Sequence, residues 1–377
     1  MPSARALHVV LTVNAAWNIW NFRRALVSAL LEDGHQVTIL APEDDSVEPL
    51  RGLGAAFQPL AISSKGLNPL EAPGLYRSYS AAFRALRPDC VLGYTIKPNL
   101  FGAMAARAQA IPFIPNVTGL GTAFLSGGVL QFLAERLYTR AFRGLPVVFF
   151  QNADDRDLFV ARGLVRPAQT RLLPGSGIDT DHFAPAPLPD GPPVFLMIAR
   201  LLRDKGVREY VDAARAIRAE HPQAEFRLLG EVGAANRSAI GRAELDGWCR
   251  EGVITYLGTV PDVRPAIMQA HCVVLPSYRE GAPRTLIEAA AMARPLIASD
   301  VPGCRAVVED GRTGLLCAPR DADALAAACA QYLALSAPAQ AAMGAAGRAR
   351  MVAEYDHSHV IAAYRQALAD QTRQGRA

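Results

Sequence analysis

The run Val194-Phe195-Leu196-Met197-Ile198-Ala199-Arg200-Leu201-Leu202-Arg203-Asp204-Lys205-Gly206 passes from five consecutive apolar residues into a short basic loop. An amphipathic pattern over 206–219 follows it. An unbroken apolar run of this length suits a strand covered on both faces, and the period of the next stretch suits a helix. Together they read as one strand–loop–helix unit of an open parallel sheet.

The same alternation extends outward in both directions. Toward the C-terminus the pattern predicts strands at 225–229, 253–257, 272–275, 295–298 and 314–316, with helices at 237–249, 261–269, 284–293 and 322–335. Toward the N-terminus it predicts strands at 7–13, 36–40, 90–93, 112–115 and 147–150. Helical patterns at 20–31, 75–86, 100–108, 130–142 and 154–161 separate them. The two series are interrupted by APAPLPDGPP at 184–193, whose five prolines and absent periodicity read as a linker. The expected architecture is α/β, with two Rossmann-like, doubly wound parallel-sheet domains facing a cleft. Residues 1–183 make the first domain, 184–193 the linker and 194–357 the second. The helical pattern within 358–377 is expected to pack back on the first domain. Sheets of this kind bind ligands beyond the carboxyl ends of their strands, so loops of both domains are expected at the site.

Composition narrows the class. The chain has 377 residues, 51% hydrophobic and 20% charged, enough to fill two cores and too apolar for disorder. Six cysteines include no C-x-x-C pair, and several lie in apolar runs, which fits free thiols in a reducing cytoplasm. The apolar run 6–13 has strand length, so no signal peptide is expected, and no run reaches the ~18–20 residues of a membrane-spanning helix. A net charge of +4 with no long Lys/Arg run and no nucleic-acid-binding signature sets nucleic acid aside as a partner.

Two loops carry chemistry. Arg200 and Lys205 flank a strand-to-helix turn, where two cations and a helix N-terminus can neutralise a diphosphate. After the strand at 272–275 comes Pro276-Ser277-Tyr278-Arg279-Glu280-Gly281-Ala282-Pro283-Arg284-Thr285-Leu286-Ile287-Glu288. Glu280 and Glu288 would repel phosphate but accept hydrogen bonds from paired hydroxyls, and Gly281 admits close backbone approach. A ligand with a central diphosphate and polyhydroxylated rings at both ends satisfies both loops. A nucleotide sugar is such a ligand.

The E-x7-E pair Glu280/Glu288, the pair Arg200/Lys205 and the run Gly177-Ile178-Asp179 resemble retaining glycosyltransferases of family 4, two-domain enzymes of the B fold. The likeness spans nearly the whole chain and is sharpest over 172–319, where Gly258-Thr259-Val260 and Val308-Glu309-Asp310-Gly311 also match. It implies that Arg200 and Lys205 hold the donor diphosphate, Glu288 the ribose, Glu280 the transferred sugar and the backbone near Val260 the base. Gly281, Ala282, Arg284 and Thr285 complete the implied donor contacts, and Glu280, Arg200 and Lys205 the implied catalytic set. In the first half, Asn14–Trp20 with Asn21-Phe22-Arg23, then Lys97-Pro98-Asn99 and Asn116-Val117-Thr118, resemble bacterial enzymes that extend glycans on a polyprenyl-diphosphate carrier, the best known transferring N-acetylgalactosamine. Asn14, Trp17, Asn18, Arg23, Lys97, Asn99 and Thr118 are the implied acceptor contacts. Asn14-Ala15-Ala16 stands where many members have Gly-Gly, and Thr118 where many have His.

Plainer readings exist for several features. Two of the D-x-D strings, at 155–157 and 321–323, open helices, where carboxylates cap free N–H groups, so neither they nor the string at 179–181 are taken as metal ligands. No G-x-G-x-x-G follows the first strand, which argues against a dinucleotide dehydrogenase. The expected reaction is displacement of a nucleoside diphosphate, UDP for preference, from a hexose or N-acetylhexosamine, with no metal or organic cofactor. The resemblance implies retention of configuration and a lipid-linked glycan as acceptor. The helical stretch 130–142 mixes Arg136, Arg140 and Arg143 with apolar residues, which suits peripheral contact with the inner face of the cell membrane. A nucleotide-sugar epimerase of similar fold and a non-catalytic binding module are the alternatives.

Overall fold

The computed structural model describes residues 5–62, 71–120, 128–233, 236 and 238–374. Of the stretches singled out above, residue 237, which opens one predicted helix, and residues 375–377 at the chain end lie outside this set. The chain divides into two compact units, 1–177 with 357–377 and 178–356.

The first unit is built on a seven-stranded sheet in the order β3-β2-β1-β4-β5-β6-β7. Its strands are β1 His8–Thr12, β2 Gln36–Ala41, β3 Ala56–Pro59, β4 Cys90–Tyr94, β5 Phe113–Val117, β6 Val148–Phe150 and β7 Thr170–Leu172. Every pairing is parallel. Alternate residues feed opposite cores: Val9 and Leu11 join one apolar cluster while Val10 and Leu40 join the other. That two-sided burial is why the strands read as unbroken apolar runs. The two edge strands β3 and β7 escape such a reading because they are largely exposed or half-buried.

The second unit has six strands in the order β10-β9-β8-β11-β12-β13. They are β8 Val194–Ile198, β9 Glu225–Leu229, β10 Thr255–Tyr256, β11 Cys272–Leu275, β12 Leu296–Ser299 and β13 Gly314–Cys317. Phe195 and Met197 face one core, Leu196 and Ile198 the other. Both sheets reverse their strand order once, at β1/β4 and at β8/β11. Those two points are where a crevice opens at the carboxyl ends of the strands.

The division corrects two expected boundaries. The chain leaves the first unit at Gly177 rather than at residue 183, and the stretch 184–193 lies inside the second unit. The fully buried Arg294 holds that stretch, donating to the carbonyl oxygens of Ala186 at 2.7 Å and Pro187 at 2.9 Å. Prolines prevent regular structure there without leaving the segment unanchored. An alanine-rich helix at Ala337–Arg350 also lies where the sequence analysis placed no element.

The C-terminal helix His357–Gln374 belongs to the first unit. Val360, Ile361, Tyr364, Ala367 and Leu368 enter the same core as β1. Tyr364 is fully buried, its ring 4.9 Å from that of Phe149, and its hydroxyl accepts from the Asn116 amide at 3.1 Å. Arg365 pairs with Asp33 on the helix-end turn after Ala16–Glu32 at 2.7 Å. Tyr364→Phe should therefore cost about 1 kcal/mol in denaturant unfolding, and Tyr364→Ala about 3–5 kcal/mol through the cavity it leaves. A Tyr364→Ala protein as stable as wild type would show that the helix is not part of this core.

Candidate functional site

In the second unit the loops after β8 and β11 lie side by side because their strands are neighbours. Residues 203–205 form one tight turn, and Gly206, at φ +75°, starts the helix Val207–Glu220. A Cβ on Gly206 would overlap the carbonyl oxygen of Pro276, so only glycine allows the two loops to touch. Gly303 plays the same part behind the second loop, where a Cβ would overlap the backbone of Glu280 and Gly281.

This packing brings Lys205 and Glu280 together. The Lys205 ammonium donates to Glu280 Oε1 at 2.5 Å, with the side chains 25% and 11% exposed. Arg200 lies at the start of the same loop, exposed, and its side chain makes no ion pair or hydrogen bond among the described residues. Arg284 opens the helix Arg284–Ala291 and donates to Glu288 Oε1 at 2.7 Å. Glu288 is buried, and burial raises its carboxyl pKa against the pull of the Arg284 guanidinium. Gly281, Ala282 and Thr285 are half-buried between the two carboxylates, and Val260 is 42% exposed on the loop after β10. Lys205 and Glu280 thus meet where the loops after β8 and β11 touch, and Arg200 and Arg284 stand on the same two connections, each of which leads into a helix N-terminus able to favour an anion.

Four side chains here, in two pairs, carry no signature in sequence spacing. Tyr278 donates from its hydroxyl to Glu209 Oε1 at 2.6 Å, tying the second loop to the helix after the first. Asp262 is held by Arg264 through Nε at 2.9 Å and Nη2 at 2.8 Å, which lowers its pKa. Asp262 lies near enough to Glu288 to add to the rise of that carboxyl. The D-x-D aspartates serve turns: Asp321 accepts from the Ala324 amide at 2.8 Å, Asp179 from the His182 amide at 2.8 Å, and Asp155 is bonded to Asn152. Among the described residues no three metal-ligating side chains gather, and no helix is long and apolar enough to cross a membrane.

In the first unit the residues implied for the acceptor fall into separate settings. Trp17 is 53% exposed in the first turn of its helix, edge-on to Phe22 at 5.3 Å, and its backbone amide donates to Asp44 at 2.9 Å. Asn18 accepts from the buried Arg23 at 2.5 Å, and the Arg23 guanidinium lies 3.9 Å over the Tyr94 ring. Asn99 is buried and donates to the Asn116 carbonyl at 2.8 Å. Asn14 and Thr118 are half-buried, just beyond β1 and β5. Thr95 takes a left-handed backbone at φ +64°, an unfavourable conformation for a β-branched residue, at the end of β4 where the strand order reverses. Lys97, two residues on, pairs with Glu71 at 3.5 Å beside a cavity of about 570 Å³ lined by Ile62, Leu75 and Phe101.

Comparison with known proteins matches both units. The family described as "Glycosyl transferase 4-like domain" covers residues 19–176, and that described as "Glycosyl transferases group 1" covers 192–334. A Mycobacterium tuberculosis glycogen synthase is 32% identical over 369 residues, covering 90% of this chain and 87% of that one. The Campylobacter jejuni N,N'-diacetylbacillosaminyl-diphospho-undecaprenol alpha-1,3-N-acetylgalactosaminyltransferase is 27% identical over 320 residues, covering 80% and 83%. The Anabaena protein HepE, solved with UDP-glucose, shares the fold at a TM-score of 0.77 and 17% identity, covering 98% of this chain and 100% of that chain. With two parallel-sheet units and both family matches in register with them, the chain belongs to the group 1 glycosyltransferases and is an enzyme of the B fold.

Proposed function

We propose that the enzyme moves a hexose or N-acetylhexosamine from a UDP-linked donor to a glycan on a lipid diphosphate carrier, with retention of configuration, as a family 4 enzyme. The observation that carries the donor side is the 2.5 Å Lys205–Glu280 contact at the β8/β11 crevice. A cation for the leaving diphosphate and a carboxylate for the sugar hydroxyls stand one hydrogen bond apart. In this reading Arg200, Lys205 and the N-terminus of the helix after Gly206 take up the negative charge that grows as the glycosidic bond breaks. Glu288 holds the ribose, and the loop at Val260 faces the base. The acceptor side rests on Trp17, Lys97 and their neighbours, with support from the lipid-linked substrate in the Campylobacter relative's name.

Glu280→Gln and Lys205→Ala should each lower turnover at least ~100-fold while the melting temperature holds, because each removes a contact that strengthens in the transition state. Release of UDP, followed with and without acceptor, is the measurement. It also separates transfer from epimerisation, which releases no nucleotide from a UDP-sugar. Near-normal turnover in either variant removes that residue from the catalytic set. Because Lys205 and Arg200 supply the positive charge, EDTA should leave most activity in place. A strict requirement for an added divalent ion would overturn that assignment.

The membrane reading rests on the helix Gly128–Phe142. Phe132 and Leu133 are 54% and 48% exposed on it, beside the exposed Arg136, Arg140 and Arg143. Each arginine near an anionic surface contributes about 1 kcal/mol, so the trio gives about 3 kcal/mol and reversible binding. Changing all three to Glu should release the protein from anionic vesicles while activity on a short water-soluble acceptor survives. A wild-type enzyme that ignores such vesicles at low salt would end this reading.

A further inference from the structure

We propose that Tyr278 is a positioning residue of the transfer reaction, bracing the loop of Glu280 against the helix start beside Lys205 through its hydrogen bond to Glu209. The proposal rests on the donor-site reading above and adds to it the part that sets its geometry.

Three segments meet at this one ring. Tyr278 stands two residues before Glu280, and its backbone amide donates to the carbonyl of Asp204, the neighbour of Lys205, at 3.0 Å. Its hydroxyl reaches Glu209, in the first turn of the helix that begins after Gly206, at 2.6 Å. On the ring face lies the Arg320 guanidinium, 4.7 Å from the centroid, brought by the segment after β13. Arg320 itself is held at φ +61°, a conformation an arginine adopts only under constraint. Lys205 and Glu280 therefore sit on loops crosslinked at both a backbone and a side-chain contact, and the span between them is short enough to fix their separation.

The chemistry of the pair favours a durable bond. Glu209 Oε2 is buried and has no hydrogen-bond partner among the described residues, so the phenol is the donor that stabilises this carboxylate. Desolvation, and then the adjacent carboxylate, push the Tyr278 hydroxyl up to about 12, so it stays protonated and donating through the working pH range. A carboxylate in the first turn of this helix also competes with an incoming diphosphate for the positive helix end. The hydrogen bond from the phenol engages that carboxylate and lessens the competition.

The test is a variant series read by steady-state kinetics and by calorimetric binding of UDP. Tyr278→Phe keeps the ring and the Arg320 contact and deletes only the hydroxyl. It should lower kcat about 10- to 100-fold, the range for losing a hydrogen bond to a charged group. The acceptor KM and the affinity for free UDP should stay near wild type, since the lost precision lies between Lys205 and Glu280, and the melting temperature should fall only by the few degrees that one lost hydrogen bond costs. Glu209→Gln, which keeps an oxygen to accept the phenol, should retain at least about a third of wild-type kcat, whereas Glu209→Ala should match Tyr278→Phe. The double variant Tyr278→Phe/Glu209→Ala should be no worse than either single change. Full kcat in Tyr278→Phe overturns the proposal. So does a loss matched by equal weakening of UDP binding, or by a fall in melting temperature large enough to unfold the enzyme under assay conditions, which would make the tyrosine a packing residue. If Lys205→Ala and Glu280→Gln are impaired while Tyr278→Phe is not, this inference fails alone. If all three stay active, the donor-site reading itself fails.

Discussion

Strand order in the second sheet governs the chemistry that unit can do. β8 is flanked by β9 and β11, and the helices that follow β8 and β11 cover opposite faces, one packing with Phe195 and Met197, the other with Leu196 and Ile198. The two connections must separate as they leave the sheet, and the loops that start them must share its rim. Gly206 against Pro276 then removes the last freedom in their approach. The Lys205–Glu280 contact follows from topology and one missing side chain rather than from any local preference of lysine for glutamate.

The energetics of that contact suit a binding site better than a structural one. An exposed ion pair contributes about 0–1 kcal/mol, whereas a dry pair costs more to desolvate than it returns unless well bonded. Lys205 and Glu280, at 25% and 11% exposure, lie between these limits. Each serves as the other's partner, so neither charge is stranded. In the proposed function a diphosphate would supply a replacement anion to the lysine, and sugar hydroxyls would supply replacement donors to the glutamate. The exchange conserves the number of satisfied charges, which keeps the cost of opening the pair small. Glu288 works by a different balance, because its burial disfavours the charged form and Arg284 opposes that effect from one helical turn away.

The parts of this arrangement legible in the sequence are those with a period or a spacing. Interior strands such as β8 and β11 announce themselves because both faces are buried, while β3 and β7 are invisible to the same criterion because an edge strand meets solvent. Arg200, Lys205 and Glu280 stand in short loops, and Glu288 early in the helix Arg284–Ala291, all at fixed offsets from strands. Tyr278 and Glu209 are separated by 69 residues and meet only through the fold, so no spacing could disclose them. The proline-rich stretch misleads for a related reason. Its composition forbids regular structure, but what anchors it is Arg294, about a hundred residues away.

The first unit shows how the same logic sorts residues within one motif. Arg23 and Asn99 are as prominent in the sequence as Trp17 and Lys97, yet burial divides them. Arg23 is stacked on Tyr94 and Asn99 is bonded to the Asn116 carbonyl, so their donors are engaged inside the unit. Asn116 in turn reaches Tyr364 on the C-terminal helix, which joins the end of β5 to the last element of the chain. These buried polar side chains form hydrogen bonds that hold strand ends in place, a role that demands fixed identity as strongly as ligand contact does. Trp17 and Lys97 are different in kind. One is an exposed ring beside an aromatic neighbour, the other a cation on the wall of a cavity, and both stand where a substrate can meet them. Under the proposed function, recognition of the acceptor would depend on these few side chains, mounted on a rim whose shape is set from beneath.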